Sequence, residues 1–302
     1  MRELQRRTAA ARKKFQGFKP GKVETIRTAK VQMDPQLEKA LRMHKDLIGE
    51  AEGIVCYEDS DGKIYFKDAY DCGDNDYQEA VFRWTKNELH RYGFEPTKDL
   101  IERLAITLGA EYGVEGLIDI CETCTAEISG LFLSALIDES RDDDFTIHTV
   151  EELSLMLLGY KNRKNITLVG EDSHFVGNHM LGGTITIRFG RSDGIGFRME
   201  GGRIIIEGDF ETNCGELRAG STVEVKGNLT NSSIQSRGGK IIVHGNLESC
   251  HMESEAHGEI HVSGEIDLGY VLDGGDTRTN LLLYGTGVKI FQRGELVWPK
   301  DQ

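Results

Sequence analysis

The sequence predicts a mostly helical α+β domain followed by a parallel β-solenoid, and three observations carry that prediction. A short apolar motif recurs at nearly constant spacing through the C-terminal half. Glycine is abundant, with 36 residues against 4 prolines in 302, a balance that fits many tight corners and few rigid ones. The N-terminal half carries helical apolar spacing and capping residues instead.

The repeat is read from residues 165–170, 184–187, 203–208, 222–227, 240–245, 259–264 and 280–285. Each begins with an apolar residue one position in, then a gap of one and a second apolar residue. In all but the second, a glycine follows two further on. The first apolar positions are Ile166, Ile185, Ile204, Val223, Ile241, Ile260 and Leu281, separated by 19, 19, 19, 18, 19 and 21 residues. Alternation of period two puts both apolar residues of a coil on one face. Coils stacked about 4.8 Å apart join those residues into continuous apolar columns. Phe210, Leu229, Leu247 and Ile266 form another column six residues on. Gly183, Gly202, Gly239 and Gly258 precede the frame by two and mark corners. An antiparallel sandwich would not keep such columns in register. The prediction is about seven coils of 18–19 residues.

Between the inward pairs runs an outward column of Thr186, Ile205, Glu224, Ile242, His261 and Leu282. Glu224 is expected to be solvated there. Ile205, Ile242 and Leu282 are candidate interaction residues, because a helix, a tail or a second subunit could cover large aliphatics so placed.

Several of these segments support a resemblance. Gly182-Gly-Thr-Ile-Thr-Ile187, Gly194-Ile-Gly196, Gly201-Gly-Arg-Ile-Ile-Ile-Glu-Gly-Asp209 and Gly238-Gly-Lys-Ile-Ile-Val-His-Gly-Asn246 resemble the GXGXG family over roughly residues 160–285. That family includes the C-terminal domain of the glutamate synthase large subunit and the C subunit of formylmethanofuran dehydrogenase. The resemblance implies a right-handed parallel β-helix, a single-stranded solenoid that serves as a structural part of a larger enzyme. It carries over no catalytic residue. Later coils depart from the pattern at Cys214-Gly215 and Asn231-Ser-Ser233, which lack the paired glycines. A looser likeness to bactofilins implies polymerisation through the coils.

In the N-terminal half, Asp34-Pro35 opens a helix running to about Ile48. Residues 54–57 and 63–66 flank a hairpin turn. Helices are expected over 77–91, 97–108 and 113–136, and Thr149 with Glu152 reads as a capping box for another ending near Leu158. The expected organisation is a basic arm over 1–32, a mostly helical domain over 33–160 and the β-helix over 161–302.

Cys121 and Cys124 form a CxxC that with Cys56 and Cys72 could offer zinc four thiolates. Their place in a helical stretch beside Ile120 and Ile128 favours buried structural cysteines instead. The six histidines on the coils read as solvated, and Cys214 and Cys250 as packing residues. No nucleophile–base pair, phosphate loop or metalloprotease helix is present, so no catalytic residue and no cofactor is assigned.

Charge is divided sharply. Residues 1–32 carry a net +8, which leaves −22 on the remainder of a chain whose total is −14. Arg6, Arg7, Arg12, Lys13 and Lys14 are the arm's candidate interaction residues. The arm is read as binding nucleic acid or lipid phosphates, as lying on an acidic body, or as a solvated tail. No apolar stretch of 18 residues suggests a membrane span, and six cysteines with no apolar leader point to a reducing, cytoplasmic compartment.

The leading expectation is a non-enzymatic scaffold or assembly protein, a homo-oligomer or a component docked on a larger complex. An accessory subunit of a redox or amidotransferase enzyme is the alternative. A nucleic-acid- or virion-associated structural protein is a third reading, resting on the arm.

Overall fold

Four helices precede a stack of parallel strands in the computed structural model of the chain. It describes residues 33–58, 64–66, 75–112, 122–149, 155–170, 173–188, 194–211, 213–234, 236–252, 257–267 and 287–298. Residues 33–302 form one unit, separate from residues 1–32. The helices are α1 (Pro35–Val55), α2 (Asn75–Arg91), α3 (Lys98–Tyr112) and α4 (Glu122–Glu139). Asp34 caps α1, its Oδ1 accepting from the backbone N–H of Gln36 and Leu37 at 2.9 and 3.0 Å. Strands Cys56–Glu58 and Ile64–Phe66 pair antiparallel where the hairpin was expected. Among the described residues, no helix is long and apolar enough to cross a membrane.

α4 is the central helix. Every residue described from Thr125 to Ile137 is buried, and it packs on the other three helices and on the first coil. Gly130 makes that last contact possible, since a Cβ there would fall on the Met156 carbonyl oxygen. Ser134 completes it: its Oγ accepts from Gly159 N at 2.9 Å and donates to Gly130 O at 2.7 Å.

The solenoid's main sheet has nine strands, β1 (Asp144–His148), β2 (Asn165–Val169), β3 (Thr184–Arg188), β4 (Gly202–Ile206), β5 (Ser221–Val225), β6 (Arg237–Val243), β7 (His257–Val262), β8 (Gly287–Gln292) and β9 (Glu295–Trp298). All run parallel except β9, which folds back antiparallel on β8. The register stacks like on like: Ile166, Ile185, Ile204, Val223, Ile241 and Ile260 form one inward column. Leu168, Ile187, Ile206, Val225, Val243 and Val262 form the second, and both columns are fully buried. A second sheet stacks Phe210, Leu229, Leu247 and Ile266, and isolated bridges line up Val176, Ile195, Cys214 and Ile234 on a third side.

The Gly-Asp/Asn element of the repeat has a structural cause. Asp209 Oδ1 accepts from Asn228 N, Asn228 Oδ1 from Asn246 N, and Asn246 Oδ1 from Glu265 N, all at 2.8–2.9 Å. Each side chain therefore ties its corner to the next coil. Gly202 takes φ +84° at another corner, where a Cβ would lie 2.8 Å from the Gly182 backbone.

Three expectations need correction. The stack is about five turns, from Asn165 to Glu259, rather than seven, and the coil expected at 280–285 lies outside the described residues. The helix expected to end near Leu158 is not formed there: Leu155–Met156 is a strand paired parallel with Ser173–His174. Thr149 N donates to Val169 O at 2.9 Å, continuing the β1–β2 ladder, and residues 150–154, which include Glu152 of the expected capping box, lie outside the described residues. Glu224 does point outward but is only 3% exposed, because neighbouring side chains cover it.

Replacing Val243 by Asp puts an unpaired charge into a dry column, which costs several kcal/mol. The expected result is loss of the cooperative thermal transition. Thr222→Ala, on the outward face of β5, should shift stability by less than about 0.5 kcal/mol. A melt in which both variants behave alike would contradict the inward and outward assignment.

Candidate functional site

The outer face of the main sheet is the surface on which the predicted residues converge. Its middle column reads Thr146, Thr167, Thr186, Ile205, Glu224, Ile242, His261 and Phe291, one residue per strand. Ile205, Ile242, His261 and Phe291 are half-buried. His261 stacks on Phe291 with ring centroids 4.5 Å apart and an interplanar angle of 8°, and its Nε2 lies 2.9 Å from Glu259. The C-terminal end of the column is thereby an aromatic stack.

Glu224 sits in the middle of this column as its one carboxylate. Arg203 from the preceding coil, Lys226 just past the end of β5 and His244 from the next coil all close on it, the last with Nε2 to Oε1 at 2.7 Å. Burial alone would raise its pKa. Lys226, His244 and Arg203 outweigh it and hold the carboxyl at about 2, against an ordinary 4.5. Such a carboxylate is too weak a base to take a proton near neutrality, and the His244 nitrogen facing it is occupied. The cluster therefore neutralises a charge within an apolar strip and leaves two half-exposed cationic side chains and the His244 ring bent over it.

Other candidate chemistry is already committed. Cys214 and Cys250 are free, buried thiols, and burial pushes Cys214 up to about 12, far from a reactive thiolate. An open cleft of about 450 Å³ between the start of α1 and α3 is lined by Asp34, Glu95, Thr97 and Arg103. There Arg103 bridges Asp34 at 2.7 Å and Asp99 at 2.9 Å. Among the described residues no three His, Cys, Asp or Glu side chains cluster to hold a metal.

The structure brings Ile205 and Ile242 onto one face with Glu224 between them. Leu282, Arg6, Arg7, Arg12, Lys13, Lys14, Cys72 and Cys121 lie outside the described residues, as do the side chains of Cys56 and Cys124. Phe291 was missed because it falls outside the 18–19-residue frame. The clamp on Glu224 was missed because its partners come from three positions of the repeat, although aligning charges between coils would have exposed it. Comparisons with protein-family models, with curated proteins and with solved structures find no match to this chain.

Because Glu224 is held ionised in the folded state, its contribution to stability is full above its ordinary pKa and lost as pH falls through the folded value. Glu224→Gln should cost roughly 3 kcal/mol at pH 7. The difference from the parent should shrink below pH 4.5 and nearly vanish at pH 2. Urea unfolding at pH 7, 4 and 2 checks this, and a difference independent of pH would contradict the clamp.

Proposed function

We propose that the protein is a non-enzymatic scaffold that self-associates through the flank of its solenoid. The supporting observation is the half-buried strip Ile205, Ile242, His261 and Phe291, with Glu224 neutralised inside it. Burying such a strip against a second copy removes apolar surface from water without stranding a charge. The ends favour this lateral mode. At the first edge, Glu102 of α3 accepts from Thr146 N at 2.6 Å, so a helix covers the strand. At the other, β9 is short, its pairing shifts register between Ile290 and Phe291, and the sequence continues into Pro299. Short, bulged edges followed by proline resist strand addition.

The second reading is an accessory subunit of a redox or amidotransferase complex, favoured by the resemblance of the paired-glycine repeat to the GXGXG family. In that reading the same flank meets a catalytic partner. Under either reading the coils are expected to be right-handed, the sense parallel crossovers take in about 98% of cases. A cytoplasmic home is supported by two buried thiols that stay unpaired. The basic arm, at +8, would add salt-sensitive attraction to an acidic neighbour or to nucleic acid.

Size-exclusion chromatography with light scattering tests the lead. The full chain should run above its 33.7 kDa monomer mass at micromolar concentration. Ile205→Lys with Ile242→Lys should return it to monomer with an unchanged melting temperature. A wild-type protein that is monomeric throughout would contradict self-association and leave the accessory-subunit reading.

A further inference from the structure

A chain of three buried polar side chains joins the helices to the solenoid. Glu127 of α4, Gln78 of α2 and Asn178, in the turn after Val176, are 6%, 3% and 3% exposed. Asn178 Nδ2 donates to Gln78 Oε1 at 3.1 Å, and the Gln78 amide in turn hydrogen-bonds the Glu127 carboxyl. Asn178 Oδ1, buried at the other end, has no hydrogen-bond partner among the described residues. Three elements distant in sequence therefore meet through one relay that ends on an acid.

The relay is short of compensation for a charge. A buried carboxylate ordinarily collects several donors or a cation. Among the described residues the group acting on Glu127 is the neutral Gln78 amide, and burial outweighs it, raising the carboxyl from 4.5 to about 7. Several charged and titratable groups described on the surrounding elements have partners of their own. From α1, His44 reaches Ser129 Oγ at 3.0 Å. From α2, Glu79 is taken by Lys161, Tyr160 and Arg83, and Lys86 by Asp138 and Glu139. From α3, Glu102 receives Thr146 N, and Arg103 pairs with Asp34 and Asp99. From the coils, His179 packs edge-on against Tyr160.

We propose that the Glu127–Gln78–Asn178 chain is a proton-operated clasp between the helices and the solenoid, tight when Glu127 is protonated and loosened when it ionises. The clasp closes the same junction that Gly130 and Ser134 form with Met156 and Gly159. When the junction opens, Glu127 becomes solvated and returns to an ordinary carboxylate pKa. Protection is therefore greatest below pH 4.5 and is lost as pH rises through the folded value. Opening becomes up to about tenfold easier per pH unit between 4.5 and 7 and levels off above it. The direction is opposite to that of the ion-paired Glu224, so the two carboxyls are separable by pH alone.

Hydrogen exchange of the full-length protein, followed over residues 125–139 and 155–162 from pH 5 to 8 and corrected for intrinsic rates, reads the clasp. The wild type should lose at least tenfold protection in these segments between pH 5 and 7, while Glu127→Gln should stay flat. A wild type that stays flat, or a variant that falls equally, overturns the proposal. If Glu127→Gln does not fold, infrared titration of the wild type decides. A carboxyl still protonated at pH 6 supports the clasp, and complete ionisation of all carboxyls by pH 5 overturns it.

Discussion

In-register stacking of parallel coils is the constraint on which the rest of this structure depends. A single coil presents two inward aliphatics, such as Ile204 and Ile206, and cannot bury them alone. Once Val223 and Val225 stack below them and Ile185 and Ile187 above, each pair completes the next. The register also fixes everything outside the columns. It lines up Asp209, Asn228 and Asn246 so that each side chain holds the next corner, and it places Arg203, Lys226 and His244 around Glu224. A one-residue slip would turn every aliphatic outward.

The same stacking creates two ends, and the chain treats them differently. The helical half supplies a lid for the first coil, built on the close approach at Gly130 and the hydroxyl of Ser134. The last parallel strand is closed by a strand of its own hairpin. With both ends occupied, the broad sheet face remains as the surface to which the proposed association is assigned. Two carboxylates mark the contrast between these regions. Glu224 is kept charged by Lys226, His244 and Arg203, whereas Glu127 is pushed toward neutrality by a dry helical junction.

Much of this was legible in the sequence because it repeats. The columns through Ile166 and Phe210 could be read from spacing alone, as could the helices around Leu37, Val81, Leu104 and Leu131, from apolar residues three and four apart. What escaped was what does not repeat. Asp144–His148 pairs with Asn165–Val169 at an offset of 21 residues, outside the 18–19 frame. Leu155–Met156 lies in the helix that the Thr149–Glu152 capping signal suggests, and pairing with Ser173–His174 overrides that signal there. The burial of Glu224 and Glu127 depends on side chains brought together from separate coils or helices, which no single-position pattern encodes.

The claim that association uses the flank and leaves the ends free is tested most directly by hydroxyl-radical footprinting of the full-length protein across a concentration series. The account predicts that modification of Ile242 and Phe291 falls as concentration rises. Met33 and Tyr92, respectively 47% and 48% exposed and in the helical half, should keep constant reactivity. Protection of Leu296 with unchanged reactivity at Ile242 and Phe291 would contradict it and point to assembly through the terminal strand.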